Sequence, residues 1–369
     1  MSAVVDGVPL CDLLERTGET WAFAAAEPLR ADGTNPVVTS ITQDSRAVGS
    51  GAVFCALRGS ATDGHDYVAS AVAAGAAAVV VERHITDEVI EIVVDDSRTA
   101  TGELAAALYD HPDVALVAVT GTNGKTSVVT LVAHIVNACG GSAASMGTLT
   151  GALTTLAAPD FHAELQRHQH DGRTVVAAEV SSHALDQGRI SGSRPAVSVF
   201  TNLSQDHLDY HDDMQDYFEA KARLFDDAFL APAVIDVSGE WGAVLAERLA
   251  QSTPRTIVAV DGAGHVAGAE LSSSSSTFTW RTHQIDLPLG GGFSVINAVL
   301  AAEASMLLGY DSGDIAAALA QMPQIPGRFE HVDQGQPFAV IVDYSHTPAS
   351  IEAAIASARE LTDLSLIHI

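Results

Sequence analysis

The stretch Thr120-Gly121-Thr122-Asn123-Gly124-Lys125-Thr126-Ser127 constrains this chain more than any other. An apolar run from Val114 to Val119 leads into it, and an apolar helical pattern from Val128 to Cys139 follows before Gly140-Gly141 ends it. Strand, glycine loop, helix is the order this predicts. In such a setting glycines let backbone N–H groups approach an anion, and the helix N-terminus adds partial positive charge. Lys125 supplies a point charge, and the Thr126 hydroxyl can hold Mg²⁺. Residues Gly121 through Ser127 are therefore the candidate phosphate cradle. The spacing departs from G-x-x-x-x-G-K-[ST], because the residue five before Gly124 is Val119 and the first glycine comes at Gly121.

With 369 residues, nearly half hydrophobic and few charged, the chain has room for two or three globular domains. Its formal net charge of −28 repels polyanions and argues against nucleic acid as a partner. A nucleotide must then be held by local devices: helix N-termini, Mg²⁺ and single Arg or Lys side chains. Cys11, Cys55 and Cys139 are far apart and show no C-x-x-C spacing, against a disulfide framework or structural zinc. A cytoplasmic monomer is expected. The N-terminus lacks the basic and apolar regions of an export signal, and the longest weakly polar run, Tyr67 to Val81, is interrupted by Gly75. Neither export nor membrane insertion is expected.

Lys125 and Lys221 are the only lysines. All other positive charge is left to arginine, which points to a task at each lysine that arginine cannot perform. The bland alternative is a lysine-poor genome that spared one residue by chance.

Residues 1–105 read as a small α/β unit, with strands near Val37–Ile41, Gly51–Leu57, Ala76–Val81 and Ile90–Val94 and a helix over Tyr67–Ala74. Residues 106–326 continue the alternation, which implies a mainly parallel sheet whose ligands bind beyond the carboxyl ends of its strands. One strand, Thr174 to Val180, puts Glu179 at its tip. Another, Ala196 to Phe200, opens onto Asp206-His207-Leu208-Asp209-Tyr210-His211. Glu179 and His207 can both face a metal at the phosphates; alone, Glu179 could cap a helix and His207 could be a satisfied loop histidine. Tyr217–Phe225 is helical, with Lys221 beside an apolar stripe. Ser272–Ser276 reads as a flexible loop without chemistry, and Phe293–Leu308 and Ile315–Met322 as helices. From residue 327 the pattern restarts with a strand, Phe338–Val342, and a helix to about Leu361. Residues 327–369 are too few for an independent core, and the last six suggest an unnatural chain end.

Together these motifs resemble the Mur ligases. The resemblance rests on Thr120 to Thr126, Glu179-Val-Ser-Ser-His183, Thr201-Asn-Leu203 with Asp206 to His211, Ala220-Lys-Ala-Arg-Leu-Phe225, Gly327-Arg-Phe-Glu330 and Asp343-Tyr-Ser-His-Thr-Pro348. Within the family it is nearest to the UDP-N-acetylmuramyl-tripeptide synthetases. It implies an α/β fold of three domains: an N-terminal domain for the UDP end of the substrate, a central P-loop ATPase domain and a Rossmann-like C-terminal domain, here incomplete. By the same resemblance Ser45 and the loop Ser60, Ala61, Thr62 hold uridine diphosphate. Thr154, Thr155, Ser181, Gln187 and Arg189 hold the muramyl dipeptide. Thr126, Glu179, His207 and a carbamylated Lys221 bind Mg²⁺, and Asn297 and His346 lie near the nucleotide. Lys125, Lys221, Glu179 and His207 are the implied catalytic set.

The implied reaction is ATP-dependent addition of a diamino acid to UDP-muramyl dipeptide through an acyl phosphate, in peptidoglycan precursor synthesis. Meso-diaminopimelate, the commoner choice in bacteria, is the expected amine and L-lysine the alternative; the family's Asp-Asn-Pro-Arg selection motif lies beyond residue 369, and the residues present do not decide between them. Leu156 stands where the family usually has proline, and Ser345 where it has alanine. The rivals are another ligase of this superfamily, such as a folylpolyglutamate synthetase, and a P-loop ATP-binding module without ligase activity.

Overall fold

The computed structural model describes residues 7–18, 35–59, 62–151 and 153–360. Ser60, Ala61 and residues 361–369, which include the suspected chain end, lie outside the described residues. The chain divides into two compact units. One comprises Met1–Val114, Leu156–Gly172 and Ala184–Ser193; the other comprises Ala115–Thr155, Arg173–His183 and Arg194–Ile369.

The first unit is built on a four-stranded parallel sheet, Ser40–Thr42, Ala52–Cys55, Ala78–Val81 and Ile90–Val93, in chain order. Ala52–Cys55 and Ala78–Val81 are buried at every position, which is why they read as unbroken apolar runs rather than alternating ones. Val53, Cys55 and Val80 meet Ala100, Leu104 and Leu108 of the helix Ser97–Leu108. Phe54, Val79 and Val81 meet Val68 and Ala71 on the other face. Asp96 starts the long helix by accepting from Arg98 N at 2.9 Å. The helix Ala158–His170 also belongs to this unit.

The second unit carries a six-stranded sheet, parallel throughout, in the order Ile257–Val260, Ala233–Asp236, Pro195–Phe200, Ala115–Thr120, Val175–Glu179, Ala143–Met146. From Ala115–Thr120 the chain runs to the edge strand Ala143–Met146, returns to Val175–Glu179, and then crosses to Pro195–Phe200 on the other side. The strand order thus reverses around Ala115–Thr120, the position at which parallel sheets open a crevice for ligands. Helices Lys125–Ala138 and Gly292–Leu307 cover one face through Val128, Leu131, Val132, Ala298 and Ala301.

Two expectations change. Ser272–Ser276 is a structured turn in an antiparallel sheet of Val266–Leu271, Ser276–Trp280 and His283–Leu287. Ser272 Oγ accepts from Ser275 N at 2.9 Å, and buried Ser276 donates its hydroxyl to Leu289 O at 2.8 Å. Serine composition masked the alternation that sends Phe278 and Trp280 inward. Near the C-terminus only Ile341–Val342 pairs as a strand, antiparallel to Glu330–His331. Among the described residues no helix is long and apolar enough to cross a membrane.

Leu131 is fully buried between its helix and the sheet, whereas Val244 is 41 % exposed. Leu131→Ala should lower stability by about 2–5 kcal/mol, read from urea unfolding midpoints. Val244→Ala should change it by no more than about 0.5 kcal/mol.

Candidate active site

The loop after Ala115–Thr120 approaches its neighbours too closely for side chains. Gly121 has φ 146° and Gly124 φ 85°. A Cβ on Gly121 would lie 1.9 Å from Thr201 Oγ1, and one on Gly124 2.5 Å from Asn297 Oδ1. Only glycine fits either place. The tip of the adjacent strand pins the loop: Thr201 Oγ1 donates to Asn123 O at 2.6 Å, and Asn123 N donates to Asn202 Oδ1 at 3.0 Å. No side chain caps the helix Lys125–Ala138, so its first-turn N–H groups, with half-buried Ser127 among them, remain available for an anion.

The two lysines meet here. Lys125 Nζ folds back to donate to Gly121 O and Thr122 O, both at 2.8 Å. Lys221, on the helix Met214–Ala222, is 1 % exposed and donates to the same Gly121 O at 2.8 Å. The Tyr217 ring lies under Lys221 Nζ at 4.6 Å, and its hydroxyl is 3.1 Å from Thr122 Oγ1. Burial, reinforced by the charge of Lys125, pushes the Lys221 ammonium well below its usual range, with Asp206 opposing. Burial lowers Lys125 as well; Glu179 opposes that and Arg328 adds to it.

Glu179 is buried at its strand tip, where Oε1 accepts from Thr148 N at 2.8 Å and Oε2 from Thr148 Oγ1 at 3.4 Å. A Cβ on Gly147 would fall 2.2 Å from Oε1, so the carboxylate is seated in a cradle that only glycine leaves open. His207 sits at a left-handed φ of 52°, half-exposed, its Nε2 3.5 Å from Asp206 Oδ2. Burial lowers its pKa, and both lysines lower it further while Asp206 opposes them. The charges of Asp206 and both lysines thus reach His207, and that of Glu179 reaches Lys125.

Among the described residues no three His, Cys, Asp or Glu side chains are grouped to hold a metal, so a hard divalent cation here would rest on few protein ligands. Glu179 offers a carboxylate and His207 a ring nitrogen, and Mg²⁺ takes its remaining ligands from phosphate and water. The Thr126 hydroxyl accepts from Arg328 Nη2 at 2.8 Å. As an unmodified amine Lys221 donates to a carbonyl and adds no ligand. Asn297 abuts Gly124. His346 stands exposed, with Nδ1 2.9 Å from Tyr344 O.

Among the expected substrate residues, Thr154 Oγ1 is 3.4 Å from Thr148 Oγ1. Thr155 is buried; its hydroxyl donates to Glu179 O at 2.9 Å and accepts from Ser181 N at 3.1 Å, so it braces the strand tip. In the first unit Ser45 and Thr62 line a cavity of about 710 Å³ with Arg46, Tyr67, Arg98 and Asp160. Gln187 and Arg189 also belong to that unit and pair with each other, Nη2 to Oε1 at 2.8 Å. Sequence reasoning assigned no role to Arg328, Thr201, Asn202 or Tyr217, although Thr201 and Asn202 fall in the motif Thr201-Asn-Leu203 and Arg328 in Gly327-Arg-Phe-Glu330.

Comparison with known proteins matches residues 119–305 to the Mur ligase middle domain. Residues 37–110 match the Mur ligase family catalytic domain, and 327–369 the Mur ligase glutamate ligase domain. The UDP-N-acetylmuramoyl-L-alanyl-D-glutamate--2,6-diaminopimelate ligase of Geobacillus kaustophilus is 37 % identical over 353 residues, covering 89 % of this chain and 72 % of the relative. The protein of the same name from Streptomyces coelicolor is 34 % identical over 386 residues, 97 % of this chain and 73 % of the relative. A solved structure of a ligase with that name superposes with TM-score 0.77 at 28 % identity, over 93 % of this chain and 74 % of the other. MurF from Acinetobacter baumannii, at 24 % identity, shares the fold with TM-score 0.68 over 97 % of this chain and 78 % of its own. On the span of these matches and the loop geometry they cover, the chain belongs to the Mur ligase family.

Proposed function

We propose that the chain is an ATP-dependent ligase that joins meso-diaminopimelate to UDP-N-acetylmuramoyl-L-alanyl-D-glutamate in peptidoglycan precursor synthesis. The observation that carries this reading is the meeting of both lysines on Gly121 O, beside a buried carboxylate at a parallel-sheet switch point. Relatives at 34–37 % identity that are named for 2,6-diaminopimelate support that amine over L-lysine.

The chemistry is amide formation through an activated carboxylate. The terminal carboxylate of the dipeptide attacks the γ-phosphorus of ATP, the bond to ADP breaks, and an acyl phosphate results. The amine then attacks the carbonyl, and the tetrahedral intermediate expels phosphate. Lys125 turns from the loop carbonyls to the phosphates, and the first-turn N–H groups hold their oxygens. Thr126, Glu179, His207 and a carbamylated Lys221 would hold Mg²⁺, which neutralises phosphate charge when bound. Ser45 and Thr62 would take the uridine diphosphate in the first unit's cavity. Asn297, set against Gly124, and His346 would border the nucleotide. Thr154 and Ser181 in the second unit would hold peptide atoms, with Thr155 bracing the strand tip, and Gln187 and Arg189 in the first unit would contact the peptide there.

Carbamylation needs a neutral amine, and burial beside Lys125 favours that form of Lys221. A nitrogen–carbon bond forms to CO₂, one proton passes to solvent, and an anionic oxygen ligand results. Arginine remains charged and cannot follow this route.

Incubated with the UDP-linked dipeptide, meso-diaminopimelate, ATP and Mg²⁺, the full-length protein should release ADP and phosphate in step with tripeptide; phosphate release without tripeptide would refute the ligase reading. Lys125→Met should reduce kcat by about 10²–10³-fold, the scale of losing one preorganised charge-stabilising donor. Lys221→Arg should be nearly inactive in the same assay although it preserves charge, and normal turnover at ambient CO₂ would count against carbamylation.

A further inference from the structure

Ser182, His211 and Asp216 form a hydrogen-bonded series that the proposed chemistry leaves without a role. His211 Nδ1 is 3.1 Å from Asp216 Oδ2, and its Nε2 is 3.0 Å from Ser182 Oγ. A carboxylate oxygen accepts, so Nδ1 carries the hydrogen and Nε2 accepts the serine hydroxyl. This is the order of a serine nucleophile, its base and the base's orienting acid. Access rules out that use: Ser182 is 1 % exposed and His211 is buried, so a substrate carbonyl has no route to Oγ.

What the series joins gives it a different meaning. Ser182 opens the short helix Ser182–Asp186, three residues beyond Glu179. Asp216 lies in the first turn of the helix that carries Lys221, and its N–H donates to Asp213 Oδ1 at 2.8 Å. The His211 N–H donates to His207 O at 2.9 Å. The His211 ring also packs on Tyr217, with centroids 5.1 Å apart, and Tyr217 is the residue that touches both Lys221 and Thr122. Through its ring and its backbone N–H, His211 thus touches the three segments that supply Glu179, His207 and Lys221.

We propose that His211, through Ser182 and Asp216, is a positioning residue that holds those three side chains in register for the metal-dependent step. The proposal rests on the ligase reading above and adds to it a residue that touches neither substrate nor metal.

The test uses the full-length protein. His211→Phe keeps a ring and removes both side-chain bonds; Ser182→Ala removes one. Each should lower kcat, by about 10–100-fold for the phenylalanine variant, the usual cost of losing a group that orients metal ligands. KM for the dipeptide substrate should stay within about threefold, because the missing interaction acts on the metal-dependent arrangement rather than on binding of that substrate. The affinity for Mn²⁺, titrated by electron paramagnetic resonance on the ADP-bound protein, should fall with kcat while circular dichroism is unchanged. His211→Asn, which can still donate to Asp216, should recover part of both losses. Parental kcat and Mn²⁺ affinity in both single variants would overturn the proposal, as would a loss confined to KM. Labelling of Ser182 by a fluorophosphonate would overturn it in favour of a nucleophile. If His211→Phe fails to fold, Ser182→Ala decides. An unaltered protein that makes no tripeptide refutes the ligase reading instead, and the Mn²⁺ titration then still reports on His211.

Discussion

One carbonyl oxygen, that of Gly121, accepts from the Nζ atoms of both lysines at 2.8 Å. The two nitrogens are therefore no farther apart than about twice that distance. At such a separation two full positive charges repel by roughly 3–4 kcal/mol at an effective dielectric near 20. Asp206 and Glu179 offset part of this, but burial works in the same direction as the repulsion. The more exposed Lys125 is better placed to keep its proton, and Lys221 is the one driven toward the neutral amine. The different chemistry proposed for the two lysines follows from that asymmetry.

The fold makes this meeting possible by bringing distant backbone into contact. Ala115–Thr120 lies between the strands that end at Glu179 and Phe200, so both tips flank the phosphate loop. Gly121 and Gly124 then permit contact with Thr201 and Asn297 at distances no other residue allows. Asn297 is held in turn by its helix. Glu303, buried on that helix, accepts from Trp280 Nε1 at 2.9 Å and Arg281 Nη2 at 2.7 Å. A buried carboxylate is costly unless it is paired and hydrogen-bonded; here it is both, and it fixes the helix against the antiparallel sheet.

The parts of this arrangement that sequence revealed are those with local signatures. Buried parallel strands leave unbroken apolar runs, and the helix after Gly124 keeps its apolar period, so strand, loop and helix could be read together. The scarcity of lysine was enough to single out Lys221. What stayed hidden depends on contacts between residues far apart in sequence. Arg328 reaches Thr126 across 202 positions. His211 looked like one more polar residue in an acidic loop, because its meaning comes from Ser182 and Asp216 together. Leu156–Gly172 and Ala184–Ser193 lie between strands of the second unit yet pack with the first, a choice that no periodic pattern announces.

Charge explains why the site is arranged this way in so acidic a chain. With a formal charge of −28 the protein repels nucleotide and UDP-linked substrates at long range, so their binding must come from short-range groups that salt and distance screen little. In the proposed reading Lys125 and Arg328 at the loop, with the helix N-terminus, would provide such groups. A third permanent cation at Lys221 would strengthen phosphate binding but repel a divalent metal from the same place. Under the proposed carbamylation its charge changes by two units, from ammonium to anion, without any movement of the helix. The loop then keeps its hold on phosphate through Lys125 while the strand tips gain a negative ligand for the metal. Arginine, fixed as a cation, would leave those two demands opposed.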